Sequence, residues 1–141
     1  MSREIKFRAW DKKRKEWYGA SDPSSLTFYG FHIFCECHTF CQPPLDELEN
    51  IIISQYTGLK DKNGKEIYEG DVVRVNDDRD GDRTYEVIFE KGCYWGNCIY
   101  TPRITTPQKT LLCDLDFFVY QSQEIIGNIY ENPELLNKEG E

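Results

Sequence analysis

Turn residues cut this chain into short pieces, and that limits what it can build. From Ile51 to Tyr130 no apolar run exceeds a few residues before a turn signal intervenes. The signals are Asn63-Gly64, Gly70-Asp71, the polar stretch 76–83 and Lys91-Gly92. Glycine and asparagine tolerate the positive φ that tight reversals need. Between these turns the pieces read as strands. Val72-Val73-Arg74-Val75 is β-branched. In Thr84–Glu90, Tyr85, Val87 and Phe89 alternate with Thr84, Glu86 and Glu90, and only Ile88 breaks the pattern. Residues 111–120 and 125–130 add two more expected strands. Short strands at this spacing predict a small barrel or sandwich.

Upstream, Ile5, Phe7 and Ala9 alternate with Lys6, Arg8 and Trp10, the period of a half-buried strand. The run Asp11–Glu16 is too polar to bury, and Trp17-Tyr18 follows it, so a hairpin with a charged tip is expected. Leu26, Phe28, Phe31, Ile33 and Phe34 suggest a strand pair around Gly30. Asp46–Asn50 suits one helical turn with Asp46 as N-cap. At the end, Asn132-Pro133-Glu134-Leu135-Leu136 offers an N-cap, a first-turn proline and an acid, which predicts a short helix. The organisation expected is a hairpin and irregular Cys/His-bearing segment over 1–50, a β domain over 51–137, and a frayed tail over 138–141.

Hydrophobic residues are only 39% of the chain, but aromatics reach 14%. Each buried aromatic removes about 150–250 Å² from water, so a core can be anchored by few side chains. No signal-peptide pattern is visible, and no apolar run nears the roughly 20 residues that span a bilayer. The expectation is a soluble cytoplasmic protein whose six cysteines are thiols or metal ligands rather than disulfides.

The net charge is −8 but unevenly placed. Residues 1–15 carry seven basic side chains against Glu4 and Asp11, a balance of +5. The remainder carries ten basic and twenty-three acidic residues, a balance of −13. That asymmetry permits pairing between copies, or a basic arm on an acidic partner.

Three blocks resemble the YopX family of phage and prophage proteins: Arg3–Asp11, Gln55–Val73 and Ile125–Leu136. The middle one reads Gln-Tyr-Thr-Gly-Leu-Lys-Asp-Lys-Asn-Gly-Lys-Glu-Ile-Tyr-Glu-Gly-Asp-Val-Val. The resemblance implies a mostly-β protein with an SH3-like small barrel in its C-terminal part, working inside a bacterial host cell. It brings no activity and no catalytic residues. Tyr56, Leu59, Ile67, Tyr68, Ile126, Ile129 and Tyr130 are the expected core, so these motifs are expected to specify fold rather than chemistry.

Chemistry has few footholds. His32, Cys35, Cys37, His38 and Cys41 are zinc-ligand types within ten residues, with Cys93 and Cys98 as a more distant pair. Their spacing is not a standard knuckle, and small packed cysteines are the competing reading. Residues 76–82 imitate the opening of a calcium loop, but its twelfth position is Val87 rather than glutamate. There is no phosphate loop, no oriented nucleophile–base set and no distinguished carboxylate pair, so no enzymatic activity and no cofactor are expected. Lys6, Arg8, Trp10, Lys12, Lys13, Arg14, Lys15 and Trp17 mix cations with aromatics, as surfaces that track phosphate and stack bases do. The acidic remainder opposes that use. The favoured expectation is a non-enzymatic protein-binding or self-associating module that forms homo-oligomers, with nucleic-acid association and zinc binding as alternatives.

Overall fold

In a computed structural model the described residues are 4–18, 27–29, 32–34, 45–76, 81–101, 109–111 and 123–137. They form strands β1 (Phe7–Asp11), β2 (Glu16–Trp17), β3 (Thr27–Tyr29), β4 (His32–Phe34), β5 (Ile51–Lys60), β6 (Glu66–Tyr68), β7 (Asp71–Val75), β8 (Arg83–Glu90), β9 (Cys93–Tyr100), β10 (Lys109–Leu111) and β11 (Gln123–Asn128). The chain is mostly β, and its curled sheets give the barrel-like fold expected. It divides into two units, Met1–Tyr56 and Thr57–Glu141, and the division falls inside β5.

In the N-terminal unit β1 pairs antiparallel with β2 on one side and with the first half of β5 on the other. The period-2 pattern predicted β1, and its polar break at Lys12–Lys15 became the hairpin loop. Ala9, Trp10, Ser54 and Tyr56 are buried. The strand pair around Gly30 forms as β3 and β4, with Thr27 opposite Phe34 and Tyr29 opposite His32. The turn expected at Asp46–Asn50 begins at Leu45 and winds as a 3-10 helix.

The C-terminal unit holds a five-stranded antiparallel sheet in the order β10-β9-β8-β7-β11. Its core is Ile67, Val73, Val75, Tyr85 and Val87, with Leu59, Tyr94, Cys98 and Ile125 packed around it. Val73 lies opposite both Tyr85 and Ile125, and Val87 lies opposite Gly96, so one face of the sheet supplies most of this core. Phe89 shares that face by alternation yet is 49% exposed, tilted against Tyr94 with ring centroids 4.9 Å apart. It sits next to the Lys91-Gly92 turn, where both residues take positive φ.

The loop 61–65 covers the outer side of β11. Lys62 N–H donates to the Gln123 carbonyl at 2.8 Å, and Ile125 N–H donates to Asp61 Oδ2 at 3.2 Å. An exposed strand edge is an invitation to further pairing, and these two bonds remove part of it.

Two expectations need correction. The terminal helix is only a 3-10 turn, Pro133–Asn137, closed by Leu135 N–H donating to the Asn132 carbonyl at 3.0 Å. Five residues are too few to repay α-helix nucleation, and tertiary contacts favour the tighter winding. In the reversal at Asn63-Gly64 only Gly64 is left-handed, with φ +80°. The Asp61 carboxylate holds the rest of that turn by accepting from Asn63 N–H and Lys65 N–H, both at 2.9 Å.

Candidate functional site

The hairpin formed by β1 and β2 places the basic residues in two groups. Lys12, Lys13, Arg14 and Lys15 occupy the loop and are all exposed. The loop is fixed from beneath by Asp11, whose side chain is buried. Asp11 Oδ1 accepts from Lys13 N–H at 2.8 Å and Arg14 N–H at 3.0 Å, while Oδ2 accepts from the Tyr18 hydroxyl at 3.2 Å. The Arg14 guanidinium lies 3.8 Å from Oδ2. Burial alone pushes the Asp11 carboxyl up. The donors from Arg14, Lys13 and Tyr18, with the Arg14 charge, outweigh burial and hold it below its ordinary value. Lys15 closes the loop at φ +57° and donates its N–H to the Asp11 carbonyl. A lysine at that φ costs about 1–2 kcal/mol more than glycine, so the tip keeps a cation at a strained position.

The second group lies along the strands. Trp10 and Trp17 face one another across the hairpin, centroids 5.0 Å apart and edge to face. The Arg8 guanidinium sits 4.3 Å over the Trp17 ring. Lys6 Nζ pairs with Glu4 at 3.0 Å and stands 5.9 Å over Tyr56. Trp10 is 5% exposed, and Trp17 is half-buried. The aromatic residues thus stiffen the hairpin, and Lys12–Lys15, with Glu16 beside them, are exposed to solvent. Sequence reasoning named the cations but missed Asp11 as their organiser. The signal was available, because an aspartate at a loop entrance commonly accepts from N–H groups two and three residues on.

Of the proposed zinc ligands, His32 lies on β4, and Cys35, Cys37, His38 and Cys41 fall outside the described residues. Cys93 and Cys98 are free thiols on β9. Five positions along a strand put them on opposite faces about 16 Å apart, so they cannot serve as two ligands of one ion. Burial pushes the Cys98 thiol up despite the nearby Arg83 charge, and its Sγ donates to the Tyr100 carbonyl at 3.5 Å. A protonated, engaged thiol is a poor nucleophile. Among the described residues no group of three or more His, Cys, Asp or Glu side chains could hold a metal. Residues 77–80 of the calcium-like loop lie outside the described residues, and Val87, its twelfth position, is buried on β8.

The remaining motif residues have structural work. Thr57 Oγ1 donates to the Ile67 carbonyl at 2.8 Å and accepts from Leu59 N–H at 3.2 Å. Asp71 accepts from Tyr68 N–H at 2.8 Å, and Asn128 accepts from Tyr130 and Glu131 N–H at 3.1 and 2.8 Å. Gly70 has φ +86° and lies against the Tyr130 ring, while Gly127 lies against Asn132 and Leu135. The bulge between Ile125 and Gly127 brings β11 into that position. Four other carboxylates among the described residues have shifted titration. Burial raises Glu69 and Glu86, the latter partly offset by the Asn97 side chain. Lys109 lowers Glu90, and Lys62 with Arg74 lowers Glu124. No described helix is long and apolar enough to cross a membrane.

The family model described as YopX protein matches residues 6–137. The crystal structure of protein EF1440 from Enterococcus faecalis is similar at 26% identity and a TM-score of 0.59, covering 96% of this chain and 99% of that one. The crystal structure of protein yopX from Bacillus subtilis is similar in fold at 21% identity and a TM-score of 0.57, covering 92% of this chain and 96% of that one. No curated protein matches.

Proposed function

The chain belongs to the YopX family, and from that premise we propose that it is a non-enzymatic binding module whose hairpin tip docks on acidic protein surface, including that of a second copy. The observation that carries this reading is the set of four consecutive exposed cations, Lys12–Lys15, held in one shape by the buried Asp11 carboxylate. A pre-shaped loop loses less entropy on binding than a mobile one. The acidic remainder of the chain, with a balance of −13, is opposite in charge to the tip. Trp10 is buried and Trp17 is engaged by Arg8, which favours a charge-reading contact over base stacking.

Sedimentation of the full chain at low and high salt tests this. Exposed charges are screened beyond about 10 Å at 0.1 M salt and about 3 Å at 1 M. The expected result is an assembly that shrinks as salt rises and is absent when Lys12, Lys13, Arg14 and Lys15 are replaced by alanine. A size that ignores both salt and the substitutions overturns the proposal. So does a tip that binds single-stranded or duplex DNA while leaving self-association untouched.

A further inference from the structure

The C-terminal core changes character along its length. At its middle, Ile125, Val73 and Tyr85 lie opposite one another on β11, β7 and β8. Two residues further along each strand, on the same face, the partners are Gln123, Val75 and Arg83. Thr101 follows the Thr84–Tyr100 pair by one step and so extends this row beyond Arg83. The row is apolar only at Val75.

Gln123 is 1% exposed, among the most deeply buried side chains of the described residues. Among the described residues neither its Nε2 nor its Oε1 has a hydrogen-bond partner, and the Thr101 hydroxyl is likewise buried without one. The glutamine cannot withdraw. Its backbone is paired with Val75, and its carbonyl accepts from Lys62 N–H. Leaving a buried donor or acceptor unmatched costs about 1–3 kcal/mol each, and native cores rarely tolerate it. The carboxamide needs an acceptor for its NH₂ and a donor for its oxygen, which a cation or an anion alone cannot both supply. Water supplies both, and buried water typically serves groups of this kind.

We propose that this end of the C-terminal core is an internal hydration site, in which ordered water bound to the Gln123 carboxamide is linked to the Thr101 hydroxyl. Strands lie about 4.8 Å apart, so the row from Thr101 to Gln123 is roughly 14 Å long and more than one water is required.

Nuclear Overhauser contacts between water and the Gln123 side-chain amide protons in the full chain test the site directly. Long-lived contacts are expected, and an ordered Gln123 without them overturns the proposal. Thermal melts of Gln123→Met, Thr101→Val and the double variant test the link. Each single change is expected to lower Tm, and the double variant to lose less than the sum, because both changes strip the same waters. A Gln123→Met chain that melts several degrees higher than the parent shows an amide that was truly unmatched, and overturns the site. Strictly additive losses overturn the link to Thr101. Should the variants fail to fold, the water contacts of the parent chain decide.

Discussion

Gly70→Ala separates two costs that glycine substitutions usually mix. Gly70 has φ +86°, and a Cβ built on it would lie 2.7 Å from Tyr130 Cε2, 3.1 Å from its hydroxyl and 3.2 Å from Cζ. The backbone cannot slide away, because Gly70 N–H donates to the Val87 carbonyl at 2.8 Å and its own carbonyl accepts from Ile129 N–H at 2.9 Å. Gly58 supplies the comparison, with φ +87° and nothing within 4 Å of its added Cβ. Gly58→Ala should therefore show backbone strain alone, about 1–2 kcal/mol. Gly70→Ala should show that strain plus the displacement of the ring, about 1–3 kcal/mol more. Tyr130 is half-buried and has some room to swing outward, so a total of about 2–4 kcal/mol is expected. Urea unfolding followed by far-UV circular dichroism measures both. In a Tyr130→Ala background the Gly70→Ala penalty should fall to that of Gly58→Ala. An equal penalty with and without the ring would show that the close approach carries no energy, and the packing argument would fail.

Asp61→Ala removes the acceptor for Asn63, Lys65 and Ile125 N–H groups at once. A loss of about 2–4 kcal/mol is expected by urea unfolding, with faster amide exchange at Ile125 as the specific sign, and unchanged exchange there would refute the staple. Glu86→Gln tests burial of a charge on β8. The folded-state pKa of Glu86 is raised, chiefly by burial. The native state therefore binds more protons than the unfolded chain between the two pKa values, and this group's contribution to stability falls as pH rises through that window. The glutamine variant should melt higher than the parent at pH 7, with the gain shrinking as pH is lowered into the acid range. A gain independent of pH would point to a cause other than ionisation.

Part of the strand content was legible because it is local, whereas β9 was not anticipated. Val72–Val75 and Thr84–Glu90 are strands for the β-branching and alternation visible in their own residues, and the glycines at 64, 70 and 92 mark turns wherever the chain goes next. The basic tip was legible for the same reason, since no other segment is needed to make Lys12–Lys15 too polar to bury. Asp61, Asp71 and Asn128 were not recognised as buried turn-closers. Read in isolation, they are ordinary polar loop residues.

Contacts between distant segments settled the rest. No local pattern says that β11 pairs with β7, or that Gly70 lies under Tyr130. The same holds for Trp10, whose alternation with Phe7 and Ala9 fixes its face but not whether that face meets water, and for Gln123, whose polarity gives no hint of burial. Residue sequence sets backbone preference within a few positions, through sterics and hydrogen bonding to near neighbours. Burial is a property of what returns from far along the chain, and here it turned the motif around Gly70 into a set of joints and enclosed the Gln123 carboxamide.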